Sequence, residues 1–240
     1  MTDELWPGGP RLVDSDGVFR IGTDSILLAD FARSSGIKKK KRAADLGCGS
    51  GIISVLLAWN NPELCVDGVE INPEAARLAS ENAVVNGLAD RISVINRDIR
   101  RHRGFLQAGA YDVTISNPPY YTAGSGKHPS SPNLVSARVE GFCTLDDVCA
   151  AAGYLTRFGG SFMLVHKPER LADVFRSLNS AGFEPKRARF VQHKHDSPPN
   201  LTLIESRRGG KPSLKIEAPL ILANEDGSHS DDFKRIYRLG

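Results

Sequence analysis

Apolar residues fall into two rhythms along this chain. Short apolar runs, the pattern of buried strands, alternate with stretches in which apolar positions return every three or four residues, the pattern of helices. The runs Ala43–Leu46, Cys65–Glu70, Arg91–Asn96, Tyr111–Ser116 and Gly160–His166 predict five strands. Between them, Ile52–Trp59, Asn72 to about Asn86, Leu145–Phe158 and Pro168–Ala181 predict helices. The second helix carries its own punctuation: Asn72 as N-cap, Pro73 at the first helical position, Glu74 in the first turn and Gly87 just past the end. Arg187–His195 and Asn200–Arg207, split by Asp196-Ser197-Pro198-Pro199, predict an antiparallel hairpin. The flanks add a helix over Asp24–Ser34, a short strand at Leu214–Ile216 and a tail helix over Asp231–Leu239.

Strand and helix alternating in this way predict an α/β fold: a mostly parallel seven-stranded sheet, a terminal antiparallel hairpin and helices on both faces. One domain spans 1–240, with an N-terminal extension over 1–37, a core over 38–207 and a C-terminal extension over 208–240. A composition of 40% hydrophobic and 25% charged residues suits such a domain. With 31 Lys and Arg against 28 Asp and Glu, the net charge of +3 excludes a polybasic or histone-like binder. Contact with nucleic acid must then come from local patches, and Lys38–Arg42, Arg100–Arg103 and Arg207–Lys211 are the candidates. The apolar run Ile52–Trp59 is far short of the ~18 residues of a membrane helix. The acidic start lacks the apolar stretch of a signal peptide, and the four cysteines form no C-x-x-C pair. Free thiols, a cytoplasmic location and no membrane contact are expected.

Asp45-Leu46-Gly47-Cys48-Gly49-Ser50-Gly51 leaves a strand and opens a helix. Gly47, Cys48 and Gly49 let backbone approach a ligand closely, and the helix start supplies unpaired N–H groups. Glu70, with Ile71 beside it, ends the next strand, where an acid can accept from ribose hydroxyls. The spacing is G-x-G-x-G rather than the G-x-G-x-x-G of dinucleotide binders, and Asp45 would repel a pyrophosphate. It suits a cationic ligand instead, such as S-adenosylmethionine. Asp98 is placed to accept from the exocyclic amine of an adenine, with the Ile99 N–H nearby. Arg20 and Thr23, at a helix start, suit the methionine carboxylate; simple capping by Thr23 or Asp24 is the plainer alternative.

Ser116-Asn117-Pro118-Pro119-Tyr120-Tyr121 follows the fourth strand, on the edge where open α/β sheets place ligands. An amine conjugated to a ring is a poor nucleophile because its lone pair is delocalised. The Asn117 side-chain oxygen and the Pro118 carbonyl can accept both of its N–H bonds and free that lone pair for attack on a methyl donor. Tyr120 offers a flat face for a base. Such chemistry needs no metal.

These residues resemble the class I S-adenosylmethionine-dependent methyltransferases with an N-P-P-Y motif, which implies a Rossmann-like fold. The order of motifs resembles the bacterial tRNA1(Val) adenine-N6 methyltransferase family in particular. Phe19 to Ala29, Asp45 to Gly51, Asn117 to Tyr121 and the tail Asn224-Glu225-Asp226-Gly227 with Phe233 carry that resemblance. It implies methyl transfer to N6 of the adenosine 3′ to the anticodon, S-adenosylhomocysteine as product, tRNA as partner and a monomer. Tyr120, Tyr121 and Arg138 are the expected substrate contacts, although Val139 stands where the family tends to carry His. The motif is shared with rRNA and DNA amino-methyltransferases and with protein-glutamine methyltransferases of release factors. The last carry a separate helical recognition domain, for which the roughly 40 residues before the glycine turn are too few. A catalytically idle nucleic-acid-binding module would have lost the glycine turn or Asn117, and both are present. Two weaker signals remain. His193 and His195 alternate on one strand face without an evident third metal ligand, and Thr122–Val139 reads as a lid ordering on substrate.

Overall fold

The computed structural model describes residues 2–13, 22–35, 37, 40–120 and 143–239. At the N-terminus, β1 (Thr2–Glu4) and β2 (Arg11–Val13) pair as a separate hairpin that the apolar pattern did not announce. Helix α1 (Thr23–Arg33) follows, capped by the backbone of Gly22 and by neither Thr23 nor Asp24. The core then runs β3 (Arg42–Leu46), α2 (Ile52–Asn60), β4 (Cys65–Glu70), α3 (Pro73–Val85) and β5 (Ile92–Asn96). A 3-10 turn at Ile99–Gly104 leads to β6 (Tyr111–Ser116). Beyond it come α4 (Leu145–Leu155), β7 (Thr156–His166), α5 (Leu171–Ser180), β8 (Phe183–Gln192) and β9 (Leu201–Arg208). Two short strands, β10 (Lys215–Ile216) and β11 (Leu220–Ile221), precede α6 (Asp231–Tyr237).

The principal strands lie in the order β5-β4-β3-β6-β7-β9-β8, parallel from β5 to β7 and antiparallel through β9 and β8. These are the seven expected strands. The sheet reaches nine because β10 and β11 both add to β8. The winding reverses between β3 and β6, and at such a switch point the ends of the two strands flank an open crevice. Successive residues of β7 serve opposite faces: Met163 and Val165 pack with α1 and α2, Phe162 and Leu164 with α4 and α5. That alternation places a helical layer on each side.

Several boundaries differ from their sequence-based positions; β7, for one, begins at Thr156 rather than Gly160. Helix α4 stops at Leu155, not Phe158, because Thr156 pairs with Tyr111 and its hydroxyl lies 2.8 Å from that of Thr114. The chain there hugs β6 so closely that a Cβ on Gly160 would sit 2.8 Å from the Asp112 carbonyl. Strand β8 begins four residues early, at Phe183, and its register slips between Pro185 and Arg187, which hid its period. It also ends at Gln192, so His193 and His195 lie in the hairpin tip rather than on a shared strand face.

Candidate active site

The glycine turn is clamped from the neighbouring strand. Glu70, at the end of β4, accepts from the Gly49 N–H at 2.9 Å through one carboxylate oxygen and from the Asn72 N–H at 2.8 Å through the other. Asn72 in turn caps α3 by accepting from the N–H groups of Glu74 and Ala75. One carboxylate thus fixes both the turn after β3 and the start of the helix after β4. Gly49 has φ +55°, and a Cβ there would project into open space. Gly51, at φ +79°, is glycine for a second reason: a Cβ would meet that of Ala79 in α3 at 2.9 Å. Ile71, beside Glu70, is 44% exposed, an apolar surface at the mouth of the crevice.

Asp45 does not face the crevice. It is 0% exposed, and one oxygen accepts from both the N–H and the hydroxyl of Ser54 in α2, at 3.2 and 2.8 Å. Its other oxygen has no hydrogen-bond partner among the described residues. Burial raises its pKa to about 7. The direct contact with a cation expected from sequence is therefore replaced by bracing of the turn from beneath. The Cys48 thiol is buried as well, its pKa pushed well up by burial, so only the backbone of Cys48 can serve a ligand.

The Asn117–Tyr120 loop leaves β6 beside this turn, and the Ser116 hydroxyl donates to the Leu46 carbonyl at 2.7 Å. Asn117 Nδ2 donates to the Ser25 hydroxyl at 3.0 Å, which leaves Oδ1 as the end that turns away from α1's first turn. The Tyr120 hydroxyl donates to Asp24 at 2.6 Å and lies 2.9 Å from Asn117 Oδ1, one hydrogen between two acceptors. Burial, then the Asp24 carboxylate, raises the Tyr120 pKa far above its ordinary value, so the phenol stays protonated. The Tyr120 ring meets the edge of His166 at 5.4 Å, and Lys167 Nζ lies 5.2 Å from the ring centroid. His166, at the end of β7, has its pKa lowered by burial first and then by Arg170. Its Nδ1 accepts from the Lys167 N–H at 2.9 Å, which puts the proton of the neutral ring on Nε2. Pro118 is buried and Pro119 exposed.

Sequence reasoning missed Asp24, Ser25, His166 and Lys167 as members of this cluster. Asp24 and Ser25 were visible in the segment after Arg20, but there they read as carboxylate binders or caps. Only the fold shows that α1's first turn holds the catalytic-loop candidates. Thr23, expected at the cofactor, opens α1 on the side where Tyr237 packs. Asp98 lies past the end of β5 as expected. Its carboxylate accepts from the Arg100 N–H at 2.9 Å and pairs with the Arg100 guanidinium at 2.7 Å, which lowers its pKa. Most of its acceptor capacity is thereby engaged. Ile99 is buried at the start of the 3-10 turn. Arg20, Tyr121 and Arg138, the segment Thr122–Val139 and Lys38 and Lys39 of the first basic cluster lie outside the described residues. Among the described residues no three potential metal ligands come together.

The family model for the methyltransferase small domain matches residues 12–139. The chain is 33% identical over 226 residues to the tRNA1(Val) (adenine(37)-N6)-methyltransferase of Tolumonas auensis, covering 92% of this chain and 90% of the relative. It is 36% identical over 217 residues to the protein of the same name from Enterobacter sp. (strain 638), covering 89% of this chain and 84% of the relative. Among solved structures it superposes on protein Atu636 of Agrobacterium tumefaciens, described as a predicted O-methyltransferase, with a TM-score of 0.73. That match has 20% identity and covers 90% and 96% of the two chains, so it speaks for the fold.

Proposed function

The chain belongs to the bacterial tRNA1(Val) (adenine(37)-N6)-methyltransferase family, and from that premise we propose that it methylates N6 of an adenosine in tRNA, the one 3′ to the anticodon. The observation that carries the proposal is the junction of the Asn117–Tyr120 loop with the glycine turn across the switch point, fastened by Ser116 and Leu46. The turn suits S-adenosylmethionine. A Cβ on Gly47 or Gly49 would occupy open space, the Glu70 oxygens retain lone pairs for ribose hydroxyls, and exposed Ile71 offers an apolar face to the adenine. Gly47, Cys48, Gly49, Glu70, Ile71 and the Asp98–Ile99 pair would hold the cofactor, with Thr23 and Arg20 towards its amino-acid end. When bound, it supplies an electrophilic methyl group.

The chain's own residues act on the acceptor. Asn117 Oδ1 and the Pro118 carbonyl take the two amine hydrogens, drawing the nitrogen towards a tetrahedral geometry that resembles the transition state more than the ground state. Ser25 keeps the amide the right way round, because an inverted Asn117 would aim two donors at the amine. Tyr120 is held by Asp24 with its ring beside His166 and Lys167, where it packs against the extruded base. The tethering of α6 to α1, where Arg235 pairs with Asp30 at 3.1 Å, supports one domain including both extensions. Among the described residues no helix is long and apolar enough to cross a membrane.

The test is turnover of labelled S-adenosylmethionine on unmodified tRNA, rRNA fragments, DNA and a release factor, with the product identified by mass spectrometry. N6-methyladenosine in tRNA is expected, and its loss with Asn117→Ala at an unchanged cofactor affinity. Methylglutamine, or no tRNA product from the wild type, overturns the proposal.

A further inference from the structure

The C-terminal extension carries three aromatic rings in register. His229 stacks on Phe233 with centroids 4.1 Å apart and planes 12° from parallel, and Phe233 stacks on Tyr237 at 4.2 Å and 16°. Phe233 and Tyr237 are one helical turn apart on α6, and Ser230 caps that helix by accepting from the Phe233 N–H. The inner end of the ladder is anchored, since Tyr237 packs partly buried against the core beside α1, whose second and third residues hold Tyr120 and Asn117. The outer end is open: His229 is exposed. A ladder of rings therefore runs from solvent to the first turn that supports the catalytic loop.

We propose that this ladder is a stacking platform for single-stranded RNA next to the methylated adenosine, with a neighbouring base laid on the outer face of His229. The proposal rests on the tRNA reading above. Near-parallel rings at this spacing have the geometry of stacked bases, and the exposed outer face of His229 can continue it. An extruded adenine leaves its neighbours without a stacking partner, and a ring stack beginning beside the catalytic loop replaces one. The surroundings are mixed: Glu225, Asp226 and Asp231 are exposed beside the ladder, while Lys194, which donates to the Glu225 carbonyl at 2.8 Å, can meet the phosphate of the stacked nucleotide.

Replacement of His229 by Ala and by Leu removes the aromatic face at an exposed position, and His229→Phe restores it. The KM for unmodified tRNA should rise about tenfold in His229→Ala and His229→Leu and return to near wild type in His229→Phe. Cofactor affinity by calorimetry and the salt slope of RNA binding should stay unchanged, because stacking releases no counterions. A wild-type KM in His229→Ala, or a Leu variant equal to Phe, overturns the platform while leaving the tRNA activity standing. A wild type that neither binds nor methylates tRNA overturns both.

Discussion

Glu70 has both carboxylate oxygens committed to backbone N–H groups, and that sets what its replacement should do. An amide offers one acceptor oxygen, so Glu70→Gln would aim an NH2 group at one of the two donors. Gln should therefore behave much as Ala does. Calorimetry is expected to show the dissociation constant for S-adenosylmethionine rising roughly 10- to 150-fold in both variants, the equivalent of ~1.5–3 kcal/mol for a charge-assisted hydrogen bond. Near wild-type binding in Glu70→Gln would count against the clamp. Asp45 makes the opposite kind of prediction. Its folded pKa of about 7 lies above the ordinary carboxylate value of 3.8, so the native protein binds the extra proton in between. Stability from this group is complete below about pH 4 and declines as pH rises towards 7, by on the order of a few kcal/mol. Urea unfolding across that window should be flatter with pH in Asp45→Asn than in the wild type. The identity of these residues was legible in the sequence, but their directions were not. An acid before a glycine turn reads the same whether it faces the crevice or the helix beneath, and only the packing of Ser54 decides.

Elements announced by local chemistry were legible in the sequence, whereas those set by distant partners were not. Helix α3 carries its stop and start signals within its own residues, and Asn72, Pro73 and Gly87 bound it as expected. The end of α4 depends on Tyr111, far away along the chain, and β8 on a register slip that only pairing with β9 reveals. The turn between β3 and α2 separates stability from binding at the level of the element. Gly51→Ala adds a methyl 2.9 Å from Ala79 at a left-handed φ, and should destabilise the α2–α3 contact by about 2–4 kcal/mol. Gly49→Ala meets no neighbour and bears only the backbone cost, yet places its methyl where the cofactor would lie. Thermal melting should show the larger loss for Gly51→Ala, and calorimetry the larger loss of cofactor affinity relative to stability for Gly49→Ala. Equal losses in both measurements would mean that the two glycines share one role.

At the scale of the molecule, the sheet register sorts basic clusters that look equivalent in sequence. Ala43, Val113, Ser161 and Arg207 lie on one row across β3, β6, β7 and β9; Asp45, Ile115, Met163 and Glu205 lie on a row nearer the crevice. Lys41, Arg42 and Arg207–Lys211 therefore belong to the edge opposite the candidate site. Arg101, soon after β5, belongs to the catalytic edge, as do Lys167 and the tip carrying Lys194, whereas Arg103 lies over Tyr154 near the end of α4 and so reaches towards the opposite edge. The expected three-cluster RNA track is thus cut to part of one cluster plus two lysines. For a chain of net charge +3, this local asymmetry must supply the attraction to RNA. Arg101→Ala should reduce the slope of log affinity for tRNA against log salt by about 1, while Lys211→Ala leaves it unchanged. Binding curves from low to physiological salt decide between them, and an effect of Lys211 equal to that of Arg101 would place RNA on the wrong edge.

The close approach of the Tyr120 hydroxyl to Asn117 Oδ1 has a consequence for which atoms can be methylated at all. An amide oxygen has two lone pairs; the Tyr120 hydroxyl, 2.9 Å away, covers the approach to one, while Ser25 holds the nitrogen end. A newcomer finds a single direction open on Asn117 and, in the proposed chemistry, a second acceptor at the Pro118 carbonyl. A sugar hydroxyl brings one hydrogen to this pair; an exocyclic amine brings two. The hydroxyl would leave one carbonyl without a donor, at ~1–3 kcal/mol, which disfavours it roughly 5- to 150-fold before any difference in nucleophilicity. The loop tells nitrogen from oxygen by counting hydrogens, and it can do so without recognising the shape of the base that carries them.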